Sequence, residues 1–330
     1  MADNTTRNEI SREVSEFYDR TLLERAVPLF IHQKWAQVRD IPQQSGTNTI
    51  KFRRYGSLAA ATTALQEGVT PQGKQMSVTD ITATVKQYGD YVTLTDVVQY
   101  ESPDANLMET AEVLGEQAGE TLDILTRDVL TAGTNVVYVN QTQRSDITTS
   151  DTIDNNNGND IHAAVRILKN NNARRVTRMV EPSTGYNTTP INAAYIGIVH
   201  PDTTYDMMKE GSGMTGFTPV EKYASQMTTM EGEVGKFGDV RFVESTQAKV
   251  FENAGNSNTN VYATVIMGRD AYGVTRISGQ AMQNIVKPLG SGGSSDPLNQ
   301  RMTSGWKATF TCKILNNDFV VRVEHASSTS

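Results

Sequence analysis

Between Ser102 and Gly133, apolar residues recur at helical spacing. Leu107, Ala111, Leu114, Ala118, Leu122, Leu125 and Val129 follow one another at steps of three or four. The pattern predicts one helix over 103–132, about 45 Å long at about 1.5 Å per residue. Ser102-Pro103-Asp104 supplies a cap, a proline at the first helical position and an early acid; Ala132-Gly133 supplies a stop, with Arg127 near the carbonyl-rich end. On the other side Glu109, Glu112, Glu116, Glu120 and Asp123 form an acidic face with no cation before Arg127. Such a face is either solvated or covered by a basic segment from elsewhere. Ala111, Gly115 and Gly119 add a small-residue column at which another backbone can approach.

The remaining chain reads in both directions from this spine. Residues 1–46 form an arm: Ile10, Val14, Phe17, Tyr18, Leu22 and Ala26 make one helical stripe, and Leu29 to Val38 reads as a second short helix ending before Pro42. Residues 47–90 alternate out, Ile50 and Phe52 against Lys51 and Arg53, pass a Gly/Pro tip at Gly68 to Gly73, and return through Ile81, Ala83 and Val85. This predicts a long two-stranded loop with too few large apolar residues to fold alone. Past the spine, Val136 to Val139 reads as a strand and Ile161 to Leu168 as an amphipathic helix, followed by the basic cluster Arg174, Arg175 and Arg178. From about residue 191 to 285, the apolar runs at Tyr195–Val199, Val240–Val243 and Val261–Met267, with a helix from Thr203 to Lys209, suggest an α/β lobe. The Gly/Ser run from Gly290 to Ser295 reads as a connector. Trp306 to Ile314 and Phe319 to Val323 read as a terminal hairpin.

Composition narrows the chemistry. With 37 acidic and 30 basic residues the net charge is −7, which offers no electrostatic footprint for nucleic acid. No apolar run is long enough for a membrane span, and the polar start is no signal peptide. The single cysteine, Cys312, lies among alternating apolar residues and reads as a buried thiol. Gly211-Ser212-Gly213-Met214-Thr215-Gly216 matches a dinucleotide fingerprint but follows a helix-like segment, where that site needs a strand before and a helix after. Asn155-Asn156-Asn157-Gly158 resembles a calcium loop without its ligand order. His32, His162, His200 and His325 show no metal spacing; His200, before Pro201, reads as the end of a strand. No catalytic, cofactor or metal residue is assigned.

Four stretches carry a resemblance. They are Gln87-Tyr88-Gly89-Asp90-Tyr91 leading to Thr95-Asp96-Val97, Gly232 to Glu244, Gly268-Arg269-Asp270-Ala271-Tyr272-Gly273, and Asp296 to Arg301 leading to Gly305-Trp306-Lys307. In this order they resemble the major capsid proteins of tailed bacteriophages, most of all a family of lytic podophages and relatives whose fold is shared with encapsulin shells. The resemblance implies an α+β fold with an N-terminal arm (1–46), an extended loop (47–90), a peripheral domain (91–190), an axial domain (191–285) and a returning segment (286–330). It implies a non-catalytic subunit, without cofactor, that self-assembles through hexamers and pentamers into an icosahedral shell around double-stranded DNA. The expected partners are other copies, a separate scaffolding protein, a portal protein and decoration proteins, with no membrane, in a virion capsid assembled in the host cytoplasm. The alternatives are an encapsulin-type compartment and a nucleotide-binding enzyme resting on Gly211 to Gly216.

For the acidic face, the chain offers its own cationic partner in Lys51, Arg53 and Arg54 on the projecting loop. Lys51 and Arg53 share a strand face about 7 Å apart, and one helical turn rises about 5.4 Å, so each can reach a different carboxylate. The expected contacts join Lys51, Arg53 and Arg54 of one subunit to Glu109, Glu112, Glu116, Glu120 and Asp123 of its neighbour.

Overall fold

The apolar stripe of the spine becomes a helix because a sheet lies beneath it. In a computed structural model describing residues 30–42, 47–56, 58–65, 67–101, 106–180, 188–209, 211–223, 229–278, 282–291 and 296–329, that helix runs Asn106–Thr131. The expected helix at Ile10 to Ala26, the cap at Ser102 to Asp104 and residues 292–295 of the connector lie outside the described residues. The first strands are β1 (Gln37–Ile41), β2 (Thr49–Tyr55), β3 (Val78–Thr84) and β4 (Lys86–Thr95). Helix α1 (Asp96–Glu101), the spine helix α2 (Asn106–Thr131), β5 (Val136–Tyr138) and α3 (Asn159–Asn170) follow. Next come β6 (Val176–Val180), β7 (Thr188–Val199), α4 (Pro201–Met208), β8 (Thr218–Pro219), β9 (Glu233–Phe237) and β10 (Val240–Glu244). The chain ends with β11 (Val250–Phe251), β12 (Val261–Met267), β13 (Tyr272–Ile277), β14 (Met282–Lys287), β15 (Arg301–Ile314) and β16 (Val320–His325).

One nine-stranded sheet, in the order β5-β16-β12-β7-β10-β9-β8 with β6 on β7 and β11 on β12, is the middle of three layers. Alternation along β12 shows how. Val265 and Met267 point into one core with Leu114, Leu122 and Leu130 of α2, while Ile266 points into the other with Ile161, Val165 and Leu168 of α3. A second sheet, β1-β13-β15-β14 with β4 also on β15, packs against α2 through Trp306, Ala308 and Phe310. β2 and β3 pair only with each other and form the stem of the projecting loop.

Two expectations change. Residues 30–38 are not a helix: 32–35 is a turn, and Gln37–Ile41 is a strand lying parallel on β13, Gln37 opposite Gly273. The ladder partner stands far away in sequence, so no local pattern announced it. Nor is the tail a hairpin. β15 pairs with β4, β13 and β14, whereas β16 joins the other sheet between β12 and β5. The chain crosses between them at a 3-10 turn, Asn317–Phe319, which the Asn316 side chain caps by accepting from Asp318 N–H. Leu315 and Asn316 both donate their N–H groups to the Ala271 carbonyl, 2.9 and 3.1 Å, fixing the crossing.

The end of α2 is also held differently from the sequence reading. Arg127 turns aside to the Gln247 carbonyl (2.9 Å). The buried Arg322 of β16 instead donates to the Thr131 and Gly133 carbonyls. A cation here satisfies terminal carbonyls and opposes the helix dipole. Glu324, fully buried, holds Arg322 at 2.6 Å and Arg144 at 2.7 Å, one carboxylate shared by two guanidinium groups.

Candidate functional site

Along the acidic face of α2, Glu109, Glu116 and Glu120 are exposed and Glu112 is half-buried. Glu120 accepts from the Gln247 amide at 2.7 Å. Asp123 does not belong with them. It lies within about 40° of Glu109 on the helical wheel, yet it is fully buried and accepts from the His32 N–H (2.7 Å) and faces the His32 ring nitrogen (2.5 Å). The wheel gives a direction but not what lies in that direction. Here the His32 N–H and ring close over Asp123, and Thr126 and Leu130 farther along that side are buried too. Gly115 and Gly119 are buried as well, as the small-residue column required.

The stem of the projecting loop alternates as expected. Ile50, Phe52 and Arg54 turn to the body, and Lys51, Arg53 and Tyr55 turn outward. Lys51 is exposed, with no hydrogen-bond or ion-pair partner among the described residues. Arg53 faces Asp80 across the ladder and donates to it at 3.1 Å; that bond and charge hold its guanidinium pKa above the ordinary value. Arg54 reaches Asn316 of its own chain at 2.5 Å, so it is committed to the body rather than offered outward. Beyond the stem, the described residues from 58 to 77 form no helix or strand, and Leu58, Leu65, Val69 and Met76 are exposed.

Structural reasons emerge for residues that motif reading had singled out. In β4, Asp90 accepts from the Gln117 amide of α2 (2.8 Å), while the Gln117 carbonyl accepts from the Trp306 indole of β15 (3.1 Å). The Gln117 bond keeps the Asp90 carboxyl below its usual pKa range. Gly89 and Gly305 let those strands approach: a Cβ on Gly89 would lie 2.5 Å from the Trp306 carbonyl oxygen, and one on Gly305 would lie 2.7 Å from Tyr91 Cβ. In the β9–β10 hairpin Glu233 is buried and takes bonds from Arg241 (2.7 Å) and Tyr223 (2.9 Å). Asp296 accepts from Arg301 N–H at 2.8 Å and closes the turn into β15. Gly211 to Gly216 lies between α4 and β8 rather than between a strand and a helix, and a Cβ on Gly213 would sit 2.2 Å from the Asp154 carbonyl oxygen. Close packing accounts for that glycine.

The titratable groups of interest are structural too. His200 ends β7 and caps α4, its ring nitrogen accepting from Asp202 N–H. His325 is buried beside Thr264, and burial pushes it down to about 4. Burial pushes the Cys312 thiol up to about 12, which suits a packed, unreactive side chain. The basic cluster is partly spoken for: Arg175, with Lys169, meets Asp239, while Arg174 and Arg178 are exposed. Sequence reading did not anticipate the contact between Tyr272 and the His32 carbonyl, to which its hydroxyl donates. The only local hint was Tyr272 within one of the four resembling stretches.

Comparison with known proteins points one way. The sequence profile of a family described as "Phage capsid protein" matches residues 78–323. The capsid of Ralstonia phage GP4 superposes with a TM-score of 0.67 at 13% identity, covering 88% of this chain and 87% of that one. The capsid subunit of cyanophage Pam1 gives 0.62 at 12% identity, with 93% of each chain covered. A virus-like particle from Pyrococcus furiosus gives 0.50 at 11% identity, covering 94% of this chain and 99% of that one. No curated protein sequence matches. At such identities the structures speak to the fold, and the family rests on the profile.

Proposed function

The chain belongs to the phage capsid protein family, and on that premise we propose how it works as the major capsid protein of an icosahedral shell. The single observation that carries the role is the profile match over residues 78–323. It also favours a phage shell over a compartment of the encapsulin type, with which the fold alone would be compatible. Subunits group into hexamers and pentamers and enclose double-stranded DNA without reading its sequence. Residues 191–285 face the capsomer axis, and 91–190 with 286–330 form the periphery. A separate scaffolding protein, a portal and decoration proteins are the further partners, and assembly takes place in the host cytoplasm. The subunit carries out no catalysis of its own.

The exposed apolar side chains between residues 58 and 77 support a loop whose partner surface is a neighbouring copy. Along its stem, Lys51 and Arg53 meet Glu109, Glu112, Glu116 and Glu120 of that neighbour; Arg54 and Asp123 drop out because Arg54 turns to its own body and Asp123 is fully buried. Electron microscopy of the purified protein tests the reading directly. Closed particles holding DNA are expected in native preparations. Open monomers, or particles holding an enzyme in place of DNA, would overturn it. A melting temperature raised by NAD or ATP would revive the enzyme alternative.

A further inference from the structure

Strand β13 touches both residues 30–41 and the stem of the projecting loop. Tyr272 is fully buried and its hydroxyl donates to the His32 carbonyl. His32 is held through two further groups, since its N–H and its Nδ1 both meet Asp123 of α2. The neighbouring Trp35 and Ala36 are in the core, and β1 continues as a ladder on β13. One residue later the opposite face of the same strand is bare. Gly273 has no side chain, and the Phe52 ring from the loop stem occupies the space: an added Cβ would lie 3.0 and 3.1 Å from two of its ring atoms and 3.2 Å from Leu315 Cδ1. Phe52 is the one buried residue of β2. Successive residues of a strand face opposite ways, so Tyr272 and Gly273 hold different elements without competing.

We infer that Tyr272 and Gly273 form a joint anchor that sets both the course of residues 30–41 and the angle of the projecting loop, and that assembly geometry depends on this pair more than subunit folding does. The inference rests on the shell reading above. In a subunit that must repeat its contacts around a closed surface, a small error in the angle of a long lever is multiplied at its tip. The loop stem alone spans seven residues per strand. Neither residue bears a charge or a reactive group for the anchor to use; its means are one hydrogen bond and one absent methyl.

The test uses full-length subunits with Tyr272→Phe, Gly273→Ala, and Gly273→Ala combined with Phe52→Leu. Two readouts are needed: amide hydrogen exchange on dissociated subunits, and the yield and shape of particles by electron microscopy. Tyr272→Phe should speed exchange of the amides in residues 31–41 by about tenfold, the loss of one buried hydrogen bond. Gly273→Ala should speed exchange in Thr49–Tyr55. Both should leave β12 and β16 protected, which shows that the body is folded. Each should cut the yield of regular particles several-fold, and the shorter Leu at position 52 should restore yield to Gly273→Ala. Regular particles at unaltered yield from both single variants would overturn the inference, as would unchanged exchange in both segments. Absence of particles from the unsubstituted chain would instead sink the shell reading, and the exchange data would still report whether the two contacts hold the segments.

Discussion

Strand β12 and the loop beyond β2 are opposites within one chain. Every residue of Val261–Met267 is buried, between a helix on each side. Every described residue from 58 to 80 is exposed, with Leu65 at 78% and Val69 at 61%. The first region is complete within the subunit; the second exposes apolar side chains that no other described residue of the subunit covers. Stability and assembly should therefore separate by mutation, and the body should show the largest effects. Phe242→Ala removes a fully buried ring between the sheet and α3 and should cost about 3–5 kcal/mol of subunit stability in urea unfolding. Leu65→Ser should leave subunit melting unchanged and lower particle yield. Equal losses of melting temperature in both would dissolve the distinction.

The next effect in size comes from buried charge. Glu324 is enclosed and holds Arg322 and Arg144, and Arg322 in turn holds the end of α2. Glu324→Gln keeps the shape but leaves two guanidinium groups without their counter-charge, so a loss of about 3 kcal/mol is expected. Phe251, whose ring lies 3.6 Å under Arg144, softens that loss without replacing the carboxylate. Chemical unfolding of dissociated subunits measures it, and a change near zero would mean that the network is not what fixes the helix end.

Acid should act on the body before the loop. His325 titrates near 4 in the folded subunit, below its ordinary 6.5, because burial disfavours the charged form. The folded state therefore excludes a proton that the unfolded chain takes up. Its contribution is fully present above pH 6.5 and falls as pH drops from there toward 4, by about 1 kcal/mol per unit. The Ala326 carbonyl and then Asp206, Glu324 and Asp154 pull the other way, and burial outweighs them. Unfolding midpoints at pH 7, 6 and 5 should decline for the unsubstituted subunit and flatten in His325→Gln. Parallel slopes would place the acid response elsewhere.

These regions also differ in how well the sequence announced them. The spine and the loop stem follow from regular local spacing, and β7, β10 and β12 from short apolar runs that are buried on both faces. What local spacing could not supply was the identity of the covering element. Asp123 sits in register with exposed glutamates, and only the passage of His32 over it makes it a core residue. Val38 belongs to a strand because β13 is beside it. Phe310 and Val321 alternate like two arms of a hairpin, yet a capped turn sends them into different sheets. In the same way Arg127 had the right position to end the helix, and Arg322, distant in sequence, does so. Of the candidate contact, the outward direction of Lys51 and Arg53 was legible, while the diversion of Arg54 to Asn316 was not.

The smallest expected effect on the subunit, and the sharpest on assembly, belongs to Lys51. Reversing both Lys51 and Arg53 would confuse two things, since a glutamate at position 53 would face Asp80 across the hairpin and loosen the stem itself. Lys51 faces Thr82 instead, so Lys51→Glu alters the charge offered to a neighbour and little else. Subunit melting should stay the same. Particle assembly should weaken relative to the unsubstituted chain, and the gap should be widest at low ionic strength, narrowing as salt screens the exposed charges on α2. Adding Glu116→Lys should recover part of the loss by restoring opposite signs across the contact. If assembly of Lys51→Glu matches the unsubstituted chain at every salt concentration, the acidic face of α2 meets solvent rather than the loop of another copy.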